Sequence, residues 1–200
     1  MALTDIPQFI QNHYEVYEWR HASAVLCKDF PQEWNDIMAV LSAFRLKRSY
    51  IDVGGGSKTD LAQFIDTGFT TRGWVEKKFD TRIIVDNTEA HSPTHKVDEY
   101  KNHVAVEVEW NNKDPFFDRD LNNFRLLFDL RVISVGVIIT RTDELQKLFK
   151  TLGIGGKYGQ NTTHMSQLLK RLEGGGGGGC PVLVFGIKRD LYEDDIIGTV

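Results

Sequence analysis

Glu107 and Glu109 stand two residues apart in the stretch VDEYKNHVAVEVEW, Val97 to Trp110, and Asp98 precedes Glu107 by nine positions. Carboxylate oxygens are hard donors, and two or three of them converging suit a cation such as Mg²⁺. A strand's period of two puts Glu107 and Glu109 on one face, about 7 Å apart, with His103 and Ala105. Val104, Val106, Val108 and Trp110 then face the other way. The alternation by itself also describes a half-buried strand whose acidic face is solvated. Three features favour a site. The EYKN segment has the length and polarity of a turn, which would return Asp98 beside Glu107, so that the carboxylates converge at a sheet edge. The wholly apolar back anchors the strand on a core. NNKDP follows at once, bringing short hydrogen-bonding side chains, Asn111 and Asn112, next to the carboxylates.

Other chemistries lack their residues. GGGSKTD, Gly54 to Asp60, places Ser57 before Lys58 and follows no apolar strand, unlike a phosphate-binding loop. His91 and His95 stand four apart in a Pro-containing segment, with no cysteine or third histidine nearby to complete a zinc site. No GxSxG elbow occurs. Cys27 and Cys180 form no CxxC pair, which fits a reducing compartment and unreactive thiols.

The elements that must position the carboxylates follow from periodicity. YEVYEW suggests a short strand. FPQEWNDIMAVLSAF reads as a helix with Pro31 in its first turn and Trp34, Ile37, Met38, Leu41 and Phe44 at helical spacing. Asp60 is a candidate cap for a helix LAQFID. GWVEKKF and a β-branched run TRIIVD follow, and NTEAHSPTH reads as a loop by composition. FFDRDLNNFRLLFDL carries a stripe of Phe117, Leu121, Phe124, Leu127 and Phe128, which suits the core or a dimer interface. RVISVGVIITR is nearly all apolar, as a strand buried on both faces would be. DELQKLFKTLG is a helix stopped by Gly153, and MSQLLKRLE a helix with Met165, Leu168, Leu169 and Leu172 on one face. Asn161 or Thr162 would cap the latter. Gly174 to Gly179 reads as a flexible connection, and PVLVFGI as a last buried strand. The β-α-β-α-β order predicts an α/β fold with a central mixed sheet flanked by helices.

Two hundred residues, 41% hydrophobic and 26% charged, suit a single domain able to bury its own core. No apolar run reaches membrane-span length and the N-terminus shows no secretory signal pattern, so a cytoplasmic protein with no membrane partner is expected. The net charge of −4 argues mildly against a polyanionic partner, but says little about local patches such as Arg45, Lys47 and Arg48 or Lys77, Lys78 and Arg82.

The carboxylate strand and the order of its flanking elements resemble the type II restriction endonucleases of the BglII, BstYI and BamHI group, within the PD-(D/E)XK nuclease fold. GWVEKKF, VISVGVIITRTDEL, PVLVFGI and YEVYEW before the first helix extend the likeness over most of the chain. The match is sharp only at Asp-x₈-Glu-x-Glu. The resemblance implies one endonuclease domain over residues 1–200, with a catalytic core at about 74–190. It implies Mg²⁺ on Asp98 and Glu107, Glu109 in the slot that most of the wider fold fills with lysine, and Glu76, from a preceding helix, as a fourth acidic residue. It implies DNA contacts from Asn111, Asn112, Lys157, Gln160, Asn161, Thr162 and Thr163. A homodimer would act on double-stranded DNA at a palindromic, GATC-centred site and leave 5′ overhangs. Whether Glu109 is a general base or holds a second metal stays open. A structure-specific repair or recombination nuclease of the same fold, an inactive DNA-binding module and a small-molecule α/β domain are the competing readings.

Overall fold

A computed structural model describes residues 5–52, 59–92 and 94–196. The Gly54–Lys58 stretch discussed above lies outside the described residues. The chain opens with α1 (Gln8–His13), β1 (Tyr14–Trp19), α2 (Ala22–Asp29) and α3 (Pro31–Ala43). A short β2 (Leu46–Lys47), α4 (Arg48–Asp52) and α5 (Asp60–Thr70) lead to β3 (Val75–Lys77). Two hairpins follow, β4 (Thr81–Val85) with β5 (Thr88–Ser92) and β6 (Val97–Lys101) with β7 (Val104–Val108). The remainder runs α6 (Phe116–Asp129), β8 (Val135–Arg141), α7 (Leu145–Thr151), α8 (Met165–Glu173), β9 (Val182–Ile187) and β10 (Tyr192–Glu193).

Six strands form one sheet in the order β1-β9-β8-β7-β6-β3. The three central strands, β7, β8 and β9, are mutually parallel, and β1, β6 and β3 join antiparallel. This is the expected mixed α/β architecture. Every residue of β8 and β9 is buried, as their unbroken apolar runs require of strands covered on both faces. One face packs on the N-terminal helices through Val104, Val106, Val137, Ile139 and Phe185 against Leu41, Phe44, Ile65 and Phe69. The other packs Ala105, Ile138 and Val184 on α6 and α8. The α6 stripe, Phe117, Leu121, Phe124 and Leu127, lies wholly in this second layer, so it is core rather than a dimer surface. A Cβ on Gly136 of β8 would meet the Phe124 ring at 2.3 Å, so glycine there is what lets α6 close on the sheet.

Several local expectations are corrected. Thr59, not Asp60, caps α5, its hydroxyl accepting from Ala62 N–H at 3.3 Å. Within the segment read as a loop, Thr88–Ser92 is a strand paired with β4 across an Asp86–Asn87 turn of positive φ. Pairing to a neighbour overrode polar composition there. His164 rather than Asn161 or Thr162 precedes α8, and Asp143 bonds Ser166 N–H and hydroxyl at 3.1 and 2.7 Å. The glycine run is a packed turn: Gly176 N–H reaches Arg171 O at 2.8 Å, and Gly177 is buried. Gly178, at φ +56°, has Arg125 2.7 Å from where a Cβ would be. Among the described residues no helix is long and apolar enough to cross a membrane.

Candidate active site

β6 and β7 pair through Glu99–Val106, Tyr100–Ala105 and Lys101–Val104, with Asn102 and His103 at positive φ in the turn. That register sets Asp98 across from Glu107, and the two segments bind each other through their carboxylates. Asp98 Oδ2 accepts from Val108 N–H at 3.0 Å, and Glu107 Oε2 accepts from Asp98 N–H at 3.3 Å. Because β7 is an interior strand, the carboxylates lie within the sheet and not at its edge. Ala105 and Glu107 face the α6 layer, where Glu107 and Glu109 are each 1% exposed.

The side opposite these glutamates is not solvent. Asp120 of α6, also 1% exposed, and Arg119 beside it complete the cluster. Arg119 Nη2 reaches Glu109 Oε1 at 3.3 Å and Asp120 Oδ1 at 2.7 Å, and its Nε donates to Asp120 Oδ1 at 2.8 Å. Asn112 Nδ2 holds the other Glu109 oxygen at 2.9 Å. Sequence reading passed over both α6 residues. The signal was there: Asp120 sits between Phe117 and Leu121 on the helix's buried stripe, a polar residue where the pattern demands an apolar one.

Glu107, Glu109 and Asp120 face the guanidinium of Arg119, and the electrostatics record the imbalance. Burial, then the charges of Asp120 and Asp98, push the Glu107 carboxyl well above its ordinary range. Burial and Asp120 push Glu109 up to about 9, and burial raises Asp120. Glu107 Oε1 and Asp120 Oδ2 are buried with no hydrogen-bond donor. Such atoms are costly to leave alone and fit a cation. Among the described residues no group of three or more acidic, histidine or cysteine side chains forms a ready-made cation cage.

Asp98 also lines a cleft of about 1180 Å³, larger than a small-molecule pocket needs. The polar face of α5, Gln63, Thr67 and Thr70, forms one wall, and Glu76 and Asn112 join Asp98 on the other. Glu76 is on strand β3 rather than a helix, and its carboxylate pairs with Lys96 Nζ at 2.9 Å. It shares the cleft with Asp98.

The expected DNA-contacting residues occupy two segments stitched together. Thr163 N–H donates to Asn112 O at 2.9 Å, Asp114 N–H to Asn161 O at 3.1 Å, and Lys113 and Thr162 form a β-bridge. Asn111 Nδ2 donates to Lys157 O at 3.2 Å. Asn112, Gln160 and Asn161 are exposed. Thr163 is fully buried, and Thr162 accepts from Arg141 Nη2 at 2.7 Å while donating to Gly159 O. Lys157 spends its ammonium on Ile51 O at 3.0 Å. Thr163 is thus enclosed, while Thr162 and Lys157 are half-buried and hold the loop in place.

The family model described as Restriction endonuclease BglII/BglIII matches residues 14–187, from the first strand to the end of the last strand of the main sheet. No individual curated protein matches the chain.

Proposed function

We propose, for a chain that belongs to the BglII/BglIII restriction endonuclease family and is a type II site-specific deoxyribonuclease, that double-stranded DNA lies in the cleft between α5 and the β6–β7 hairpin and is cut at Asp98 and Glu107. The observation that carries this reading is the reciprocal anchoring of those two segments, which fixes Asp98 at the wall of an open cleft with the buried Glu107 directly behind it. Mg²⁺ is the cation proposed there; when bound it offsets charge developing on the phosphate oxygens and acidifies a water. Asp98 and Glu107 hold the ion. Asn112 and Arg119 fix Glu109 beside them by one bond to each carboxylate oxygen. Glu76, paired with Lys96, borders the path of the DNA rather than the reacting phosphate.

Base reading falls to the exposed amides of Asn112, Gln160 and Asn161, since amide groups pair with base edges in the major groove. Asn111, Thr162, Thr163 and Lys157 support that platform from beneath. From the resemblance to the BglII, BstYI and BamHI group we assign the target as palindromic and GATC-centred, cut to 5′ overhangs; a two-fold homodimer would match such a two-fold site.

Incubation with phage DNA and Mg²⁺ tests the reading. Discrete bands are expected, absent with EDTA and with Asp98→Ala, and mapping their ends gives the site. A smear overturns sequence specificity. Intact DNA, or full cutting by a folded Asp98→Ala protein, overturns the assignment of the site.

A further inference from the structure

Arg141, the last residue of β8, is only 1% exposed, yet among the described residues no acid bonds its guanidinium. One N–H on Nη2 donates to Thr162 Oγ1 at 2.7 Å, and Nε is buried with no acceptor. The rings of Phe149 and Tyr158 stand 5.7 and 6.0 Å from the group and back it with apolar surface. Asp143, two residues on, acts on it through charge alone. The oxygens of Asp143 are committed to the start of α8. Oδ2 accepts from Ser166 N–H at 3.1 Å, and Oδ1 accepts from Ser166 Oγ at 2.7 Å, beside His164 Nδ1 at 3.0 Å. Burial pushes the Arg141 guanidinium down to about 10. A cation held this deep without a bonded acid is costly, and a bound anion offsets that cost.

There is room for one. Arg141 lines a cavity of about 300 Å³, at the lower end of small-ligand pockets, together with Gln146 of α7, Gln160 of the loop before α8 and Gln167 of α8. Side-chain amides bring N–H donors without adding charge. Donors converging from three elements suit the tetrahedral oxygens of a phosphate, and a guanidinium is the cation that best matches them. The cavity shares no lining residue with the cleft that Asp98 borders. Because β7 and β8 run parallel, Arg141 nevertheless leaves the sheet at the same edge as Glu109 and Asn112.

We propose that this cavity is a phosphate-binding site separate from the cutting site, with Arg141 supplying the charge and Gln160 and Gln167 the neutral donors. A backbone phosphate of DNA, next to the exposed Gln160, and a free phosphate ion offer the same chemistry.

Inorganic phosphate, set against sodium chloride of equal ionic strength with EDTA present, tests this on the full chain. Wild type should melt about 3–6 °C higher at phosphate tenfold above its Kd. Gln167→Glu puts a carboxylate of the chain itself into the cavity and should lose that rise, as should Arg141→Met. Should Arg141→Met fail to fold, Gln167→Glu at its half-buried position decides. Asp98→Ala should keep the rise, so a failure of the cutting-site assignment reads out separately. A wild type indifferent to phosphate, or a Gln167→Glu protein that gains as much as wild type, overturns the inference. Duplex binding in the same two buffers then names the source. Weaker binding in phosphate by wild type, but not by Gln167→Glu, assigns the site to the DNA backbone. Equal binding in both buffers, with the melting response kept, assigns it to free phosphate.

Discussion

Glu107, Glu109 and Asp120 lie between sheet and helix, each 1% exposed, whereas Glu193, Asp194 and Asp195 lie at or near the surface beside β2 and α4. The two groups have the same chemistry, and the carboxyls of Asp194 and Asp195 move in the opposite direction to the interior three. At the surface, the Ser49 hydroxyl and backbone N–H hold Asp195 below the ordinary range. Desolvation acts upward on Asp194, but hydrogen bonds from Arg48 and the Ile196 N–H outweigh it and hold that carboxyl down as well. In the interior, burial outweighs every donor present and all three are raised. The surface group is matched by the fold, with Arg45, Arg48 and Ser49 against three acids. The interior group is left short by the fold, which is how a protein holds a place for a ligand that is not part of the chain.

The largest expected effect breaks the interior group. Glu107→Gln should lower cleavage by roughly 10³-fold or more, because it removes a charge that holds the cation. In EDTA the same variant should be more stable than wild type, by about 1–2 kcal/mol, since a buried repulsion is replaced by an amide that brings donors into a cluster short of them. Urea unfolding reads this directly. A variant less stable than wild type in EDTA would show that Glu107 is a structural acid, of the same kind as Asp195.

Next is Asn112→Ala, which removes the amide on Glu109 Oε2 without touching the core. A loosened Glu109 should slow single-turnover cleavage by roughly 10–100-fold, with little change in melting temperature because Asn112 is exposed. An unchanged rate would mean that Arg119 alone positions Glu109.

The interior group was only half visible in the chain. Alternation in VDEYKNHVAVEVEW gave the strand, and the turn length gave the return of Asp98, because hairpin register follows local residues. Asp120 and Arg119 come from a helix ten residues on, and their meeting with Glu109 depends on how α6 closes over the sheet, which no local pattern encodes. Composition misled at Thr88–Ser92, where a polar strand pairs with β4, and at Gly174–Gly179, where a low-complexity run is a packed turn. Thr163 illustrates the same limit: a polar residue in a polar loop is fully buried once that loop is bridged to Lys113.

Gly136→Ala tests whether the closing of α6 builds the site. A methyl 2.3 Å from the Phe124 ring must push the helix or the ring aside. The expected cost is about 1–3 kcal/mol by urea unfolding. Phe124 lies one helical turn from Asp120, so cleavage should fall in the folded fraction as well. Loss of stability with full activity would separate the helix's packing from its part in the site.

The smallest effect belongs to the surface group. Ser49→Ala removes the hydroxyl that donates to Asp195 Oδ2 at 2.6 Å but keeps the backbone N–H on Oδ1 at 2.9 Å. Asp195 should therefore titrate closer to an ordinary aspartate, moving up but not fully back, as carboxyl NMR would show. The sign for stability follows. A depressed carboxyl stabilises above its unfolded value and loses that contribution as pH falls through the folded one. The variant should thus differ from wild type at all pH above the ordinary aspartate value of about 4, by an amount that solvent screening keeps small, and should converge with it below the folded value. Cleavage should be unchanged. A clear loss of activity would mean that the surface acids are coupled to the interior ones, and the two groups could no longer be treated as separate solutions to the same charge.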